Sequence, residues 1–156
     1  MNAPEVNLCH YDVSEKNNNM QYLENIQYDN TVSFVPPIQY GKVIKVYDGD
    51  TFTVASKLVN NEFPIYRFSV RLRNVDAPEI RGGSLHEKEL ALESRDALHQ
   101  LLFGRIVRLK NISTEKYGRI LADVYIDELH VNKWLLANGY AVPYDGGTKH
   151  RPAEWD

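Results

Sequence analysis

One cysteine, Cys9, stands in the 156 residues. A lone thiol excludes an internal disulfide and a cysteine-built zinc cage, and Cys9-His10 finds no two further ligands at zinc spacing. Long hydrophobic runs are missing as well. No apolar stretch approaches the roughly 20 residues that cross a bilayer, so no membrane role is expected. The opening residues, MNAPEVNLCHYDVSEKNNN, bring neither a basic start nor an apolar segment. No secretory signal is read there, and an intracellular, reducing setting is the expectation. A broad positive field is also absent. Net charge is −3. Residues 1–40 set one lysine against five acidic residues, net −4, whereas residues 41–156 set 17 Lys or Arg against 16 Asp or Glu, net +1. Any polyanion must therefore be met by local arginines.

What is present suits one soluble domain. Hydrophobic residues make up 43% and charged residues 25%, ordinary values for a chain able to bury a core. Residues 1–38 are rich in Asn, Tyr and Gln and end near Pro36-Pro37, which reads as a flexible acidic extension. Within it MQYLENI hints at one helical turn, with Met20, Leu23 and Ile26 on one side. The folded domain is expected over 39–156.

From Tyr40 the pattern becomes that of strands. KVIKVY and DTFTVAS flank an Asp48-Gly49 turn, and NNEFP makes a second turn into IYRFSVRLR. In that third strand Phe68, Val70 and Leu72 alternate with Arg67, Ser69, Arg71 and Arg73, so one face is apolar and the other holds three arginines. Ser84 and Glu87 form a capping box, followed by a stripe of Leu90, Ala97, Leu98, Leu101 and Leu102 that Gly104 stops. RIVRLKN and RILADVYI are two more strands, with Asp127-Glu128 at a turn. VNKWLLANG is a second helix, with Trp134 as a core anchor and Gly139 as its end. The fold class is α+β, mainly β: a five-stranded Greek-key barrel of the OB type with two or three packed helices.

Three stretches carry chemistry: DGDT at 48–51, RLRNVDAPE at 71–79 and KYGR at 116–119. Each sits at a strand end. Asp50, Asp76 and Glu79 are carboxylates that one barrel mouth could gather. Two carboxylates about 4 Å apart repel by roughly 4 kcal/mol at an effective dielectric of 20, so such a cluster needs a shared proton or a cation. Oxygen donors without Cys or a His set point to a hard ion, Ca²⁺ or Mg²⁺. Arg71 and Arg119 suit a phosphate diester and the added charge of its transition state. Taken singly, each stretch is also an ordinary turn or loop; their joint order is what carries weight.

That ordered set, D-G-D-T, R-x-x-x-x-D-x-P-E, K-Y-G-R and the helix start in ELHVNKWLLANGYA, resembles the staphylococcal nuclease (thermonuclease) family from about Gly41 to Tyr144. The resemblance implies an OB barrel with added helices. It further implies metal-dependent hydrolysis of DNA and RNA, favouring single strands and leaving 3′-phosphates. Carried over by position, Asp50, Asp76 and the backbone carbonyl of Ala77 would hold Ca²⁺, with Mg²⁺ or Mn²⁺ as possible substitutes. Glu79 would orient or deprotonate the attacking water, and Arg71 and Arg119 would bind the scissile phosphate. Lys116 and Tyr117 would touch a neighbouring phosphate, and Tyr144 would pack near sugar and base. A monomer is expected.

The chain departs from that pattern in a short IRGGSLHEKE where the staphylococcal enzyme has a lysine-rich loop, and in an ending, TKHRPAEWD, with little room for a long last helix. The competing reading is a silent module of this fold that binds single-stranded nucleic acid or a protein. Such modules typically lack several of the acids or arginines that stand here. An EF-hand beginning at Asp48 fails because its twelfth place is Val59 rather than Glu. His86, His99, His130 and His150 are scattered and read as structural or solvated.

Overall fold

The computed structural model describes residues 20–58, 64–81 and 83–156. Most of the expected extension, and the NNEFP turn apart from Pro64, lie outside the described residues. The described chain divides into 20–33 and 34–156. In the first part 3-10 turns form at Gln21–Leu23 and Tyr28–Asn30, and Met20, Leu23 and Ile26 are exposed. In the second, Pro36 and Ile38 are already buried before the first strand.

Alternation of apolar side chains sets the strands β1 (Tyr40–Val46), β2 (Thr51–Ser56), β3 (Tyr66–Leu72), β4 (Val75–Asp76), β5 (Ile106–Thr114), β6 (Ile120–Ile126), β7 (Leu129–His130) and β8 (Val142–Pro143). Two helices join them, α1 (Leu85–Leu102) and α2 (Val131–Ala137). Strand β6 shows the cause most clearly: Ile120, Ala122, Val124 and Ile126 point inward, and the residues between them are only half-buried. β1 pairs antiparallel with β2 and β5, β2 with β3, and β5 with β6. A parallel β3–β6 pairing, Val70 to Ile120 through Leu72 to Ala122, closes the five-stranded barrel. The expected OB-type architecture is therefore the observed one.

Phe52, Val54, Val70, Leu72, Val107 and Val124 fill the barrel and are fully buried. Each contributes about 1.5–3 kcal/mol relative to an exposed side chain. Gly41 is needed for close approach: a Cβ there would lie 2.7 Å from Cβ of Val54.

Helix α1 departs from the expected stripe. Its buried residues are Glu87, Ala91, Ser94, Leu98 and Leu102, while Leu90, Ala97 and Leu101 are half-buried. Two polar residues point inward because each finds a partner there, and this hides the period from an apolar count. Ser94 Oγ donates to the Tyr140 carbonyl at 2.8 Å. The capping box is also half formed: Ser84 Oγ accepts from the Glu87 N–H at 2.9 Å, but the Glu87 carboxylate reaches elsewhere.

Asn132 ties α2 to the barrel. Its Oδ1 accepts from the Val124 N–H at 2.9 Å, and its Nδ2 donates to the carbonyls of Arg73 (2.9 Å) and Ala122 (3.2 Å). The helix ends in a Schellman motif: Gly139, at φ 74°, donates to Leu136 O, and the Tyr140 N–H donates to Leu135 O. Trp134 is half-buried rather than central, and packs against Tyr140 with ring centroids 5.5 Å apart. The last ordered element is a 3-10 turn, Ala153–Trp155, and the Trp155 carbonyl accepts from Ser84 Oγ at 2.8 Å. No helix among the described residues is long and apolar enough to cross a membrane.

Candidate active site

Strand register collects the charged residues. Thr51 on β2 stands opposite Arg71 on β3, and the Leu72 N–H donates to the Asp50 carbonyl at 2.9 Å. Asp50 is thereby fixed beside the Arg71 side chain. The preceding loop is drawn tight by the Tyr47 N–H to Thr51 O bond, and Gly49 lies against α1. A Cβ on Gly49 would strike Ser94 Oγ and fall 2.7 Å from Cβ of Ala77. The glycine of D-G-D-T is required by this close approach, where the sequence suggested only a turn.

β3 then turns through Asn74, at φ 60°, into β4, which carries Asp76. β4 pairs with β8, Asp76 opposite Val142, and the Tyr144 N–H continues the ladder to Asn74 O at 3.1 Å. That pairing brings Tyr144 to the Arg71 guanidinium, 5.3 Å from ring centroid to Cζ. Arg119 closes the opposite side at the start of β6, the strand whose Leu121 pairs with Arg71.

A cleft of about 690 Å³ results, lined by Asp48, Asp50, Arg71, Glu79, Lys116, Tyr117, Arg119 and Tyr144, with Glu115 and Lys149 beside them. Asp76 reaches the same cluster through Arg71. Arg71 Nη2 donates to Asp50 Oδ2 at 3.1 Å and to Asp76 Oδ1 at 3.0 Å, all three side chains being nine-tenths buried. Asp50 Oδ1 accepts from Thr51 Oγ1 at 2.8 Å, and Oδ2 also from the Ala77 N–H at 3.3 Å. Ala77 thus meets Asp50 through its N–H; its expected role as a carbonyl ligand is not among these contacts. Arg119 is held bidentate by Glu115, Nε to Oε1 at 2.6 Å and Nη2 to Oε2 at 3.1 Å. Its Nη1 points toward Thr51 Oγ1 at 3.5 Å. Lys116 and Arg119 both stand over the exposed Tyr117 ring, at 4.9 and 5.9 Å.

Electrostatics show the cluster to be short of positive charge. Asp48, Asp50, Asp76 and Glu79 face Arg71 and Lys149, since Arg119 is taken up by Glu115. Burial, followed by the Asp50 charge, pushes the Asp48 carboxyl up to about 7. Burial likewise raises Asp76, against the lowering effects of Lys149 and Arg71. The Arg119 hydrogen bond holds Glu115 below the usual carboxylate range. An excess of negative charge on hard oxygen donors is what a divalent cation would relieve, so the residues fit one chemically. The present arrangement is nevertheless cross-linked by Arg71 and Lys149. Among the described residues, no three His, Cys, Asp or Glu side chains converge as a ready metal site.

Five residues of this neighbourhood escaped the sequence reading as site components: Asp48, Glu87, Glu115, Lys149 and Arg151. In the sequence Asp48 marks only a turn. Glu115, four residues before Arg119, was a usable signal. Glu87 is 3% exposed, accepts from the Glu79 N–H at 3.3 Å and pairs with Arg151 at 2.7 Å. A Cβ on Gly83, at φ 68°, would strike Glu87 Oε2. No local pattern announces these contacts, because residues 149–151 lie some 70 positions from Glu79.

A family model described as "Staphylococcal nuclease homologue" matches residues 69–154. An uncharacterised endonuclease of Escherichia coli is 32% identical over 109 residues, 68% of this chain and 61% of that protein. An uncharacterised protein of Methanocaldococcus jannaschii is 31% identical over 85% of this chain and 73% of its own length. A probable staphylococcal-like nuclease of Oryza sativa subsp. japonica is 31% identical over 58% of this chain and 22% of its own. The chain thus spans about three-fifths of the E. coli relative. With the family model covering more than half of its length, and the barrel agreeing with it, the chain belongs to the staphylococcal nuclease family.

Proposed function

We propose that this chain is a divalent-metal-dependent nuclease that hydrolyses phosphodiester bonds of DNA and RNA. The observation that carries the reading is the joint placement of Arg71, Arg119, Glu79 and the Asp50–Asp76 pair at one barrel mouth. The family membership and the nuclease names of relatives support it. A silent binding module would need none of this concentration of buried charge, which costs stability.

In this proposal Asp50 and Asp76 would hold the cation, Ca²⁺ first and Mg²⁺ or Mn²⁺ as alternatives, with the Ala77 carbonyl as a third donor. When bound, the ion supplies Lewis-acid neutralisation of a phosphoryl oxygen. The chain's own residues do the rest. Arg71 and Arg119 bind the non-bridging oxygens, and their fixed charges favour the more anionic transition state. Glu79 accepts a proton from water as the water oxygen bonds to phosphorus and the P–O5′ bond breaks. The leaving 5′-oxygen takes its proton from solvent, since guanidinium does not give one up. Lys116 and Tyr117 meet an adjacent phosphate, and Tyr144 flanks the sugar and base. The open, exposed Tyr117 wall suits a single strand better than a duplex, and one chain contains the whole set, consistent with a monomer.

The products test this directly. Single-stranded DNA and RNA oligonucleotides should yield 5′-hydroxyl and 3′-phosphate ends in Ca²⁺, the latter removable by phosphatase. 5′-Phosphate ends would reject the bond assignment.

A further inference from the structure

Glu79 stands on an exposed loop, its side chain 56% exposed, yet it is held at both ends by the C-terminal segment. The backbone is held through Glu87, whose carboxylate accepts the Glu79 N–H while binding Arg151. The side chain is held by Lys149, whose Nζ lies 2.7 Å from Glu79 Oε1 and 2.8 Å from Asp76 Oδ1. One ammonium therefore bridges the water-activating carboxylate and a metal-binding carboxylate. While that bridge stands, the ammonium competes with a divalent ion for Asp76 Oδ1 and Glu79 Oε1.

Resting on the nuclease reading above, we propose that Lys149 is an internal counter-ion and positioning residue. It holds Asp76 and Glu79 together in the metal-free chain and is displaced when a divalent cation enters. The Lys149 side chain is 47% exposed and already lines the cleft, so once released its head is free to turn within it. There it would meet the same anionic substrate that Arg71 and Arg119 face. Residues 149–151 do the holding.

If the bridged form dominates without metal, binding of the ion is weakened by the small fraction of open sites. Removing the ammonium removes that handicap and also removes a cross-link. The two effects have opposite signs, which an ordinary structural residue would not produce.

Calorimetric titration of Ca²⁺ into the full chain, its Lys149→Met and Lys149→Arg variants, and Lys116→Met tests this, with melting in chelator measured in parallel. Lys116→Met removes a cation of the same cleft that makes no ion pair with a described carboxylate. The expected result is that Lys149→Met binds Ca²⁺ about tenfold tighter than the parent yet melts lower without it. Lys149→Arg should stay near the parent in both, and Lys116→Met should change affinity little. Unchanged or weaker binding by Lys149→Met would overturn the proposal, as would equal tightening by Lys116→Met, which would reduce the effect to general charge. Absence of Ca²⁺ binding in every form would overturn it together with the metal reading. The expected binding pattern without any nucleic-acid cleavage would leave Lys149 as proposed and remove the nuclease function instead.

Discussion

Arg71 Nη2 lies 3.1 Å from Asp50 Oδ2, on side chains only 8% and 10% exposed. The same nitrogen serves Asp76, so one guanidinium is shared by two buried acids. Removing it leaves Asp50 without its cationic partner and Asp76 with Lys149 alone. Arg71→Met should destabilise the fold by about 3–5 kcal/mol, the usual cost of orphaning a buried charge, in addition to abolishing turnover. Denaturant unfolding in chelator checks the first part. A loss below about 1 kcal/mol would mean that water or protonation already relieves the pair.

Arg119→Lys separates charge from geometry. Lysine retains the positive charge but loses the fork that Glu115 holds at 2.6 and 3.1 Å. Its kcat should fall by about 10²–10³ with stability nearly unchanged, as for loss of one oriented donor to a developing oxyanion. Near-normal turnover would show that Arg119 supplies only diffuse attraction.

Asp48 gives the pH dependence. Its carboxyl stays protonated in the folded chain up to about pH 7, whereas the ordinary value is 3.8. The folded state therefore binds more protons between these limits, and stability falls as pH rises through them. Asp48→Asn, measured in chelator, should melt higher than the parent at pH 7.5 and alike at pH 3.5. The gain should be several degrees, at about 2–4 °C per kcal/mol recovered. An equal difference at both pH values would show that packing, not ionisation, is responsible.

Most of the barrel was legible because its strands are amphipathic at period two, as in β6, and because Gly104 and Gly139 end the helices at left-handed positions. The arginine face of β3 misled in one respect. Arg67 is exposed, Arg71 is nine-tenths buried, and Arg73 donates to Asn111 O, Ser113 Oγ and Leu121 O. Strand alternation assigns a face, but only the barrel's curvature decides how deep each position lies. The inward face of α1 was displaced for a related reason, since Glu87 and Ser94 are buried by partners on other elements. The acids and arginines of the proposed site were readable as ordered motifs. Lys149 and Arg151 were not, because contact across some 70 residues leaves no local spacing to find.

Asn132 tests whether the V-N of the second helix start is structural. Its amide satisfies the Val124 N–H and the carbonyls of Arg73 and Ala122 at once. Asn132→Ala should cost about 1–3 kcal/mol from the unsatisfied buried groups it leaves. Calcium affinity should be retained where the fold persists. Loss of affinity in a variant that melts normally would assign Asn132 to the site.

The most direct measurement is digestion of single-stranded DNA by purified chain in Ca²⁺, in Mg²⁺ and in chelator, with Glu79→Ser run alongside to expose contaminating nuclease. Glu79 is exposed enough for the variant to fold, and loss of a general base lowers kcat by about 10²–10⁴. Cleavage that needs the metal and collapses in Glu79→Ser is the expected result. No cleavage under any metal, or cleavage that Glu79→Ser leaves unchanged, would contradict the assignment of this cleft as a nuclease centre.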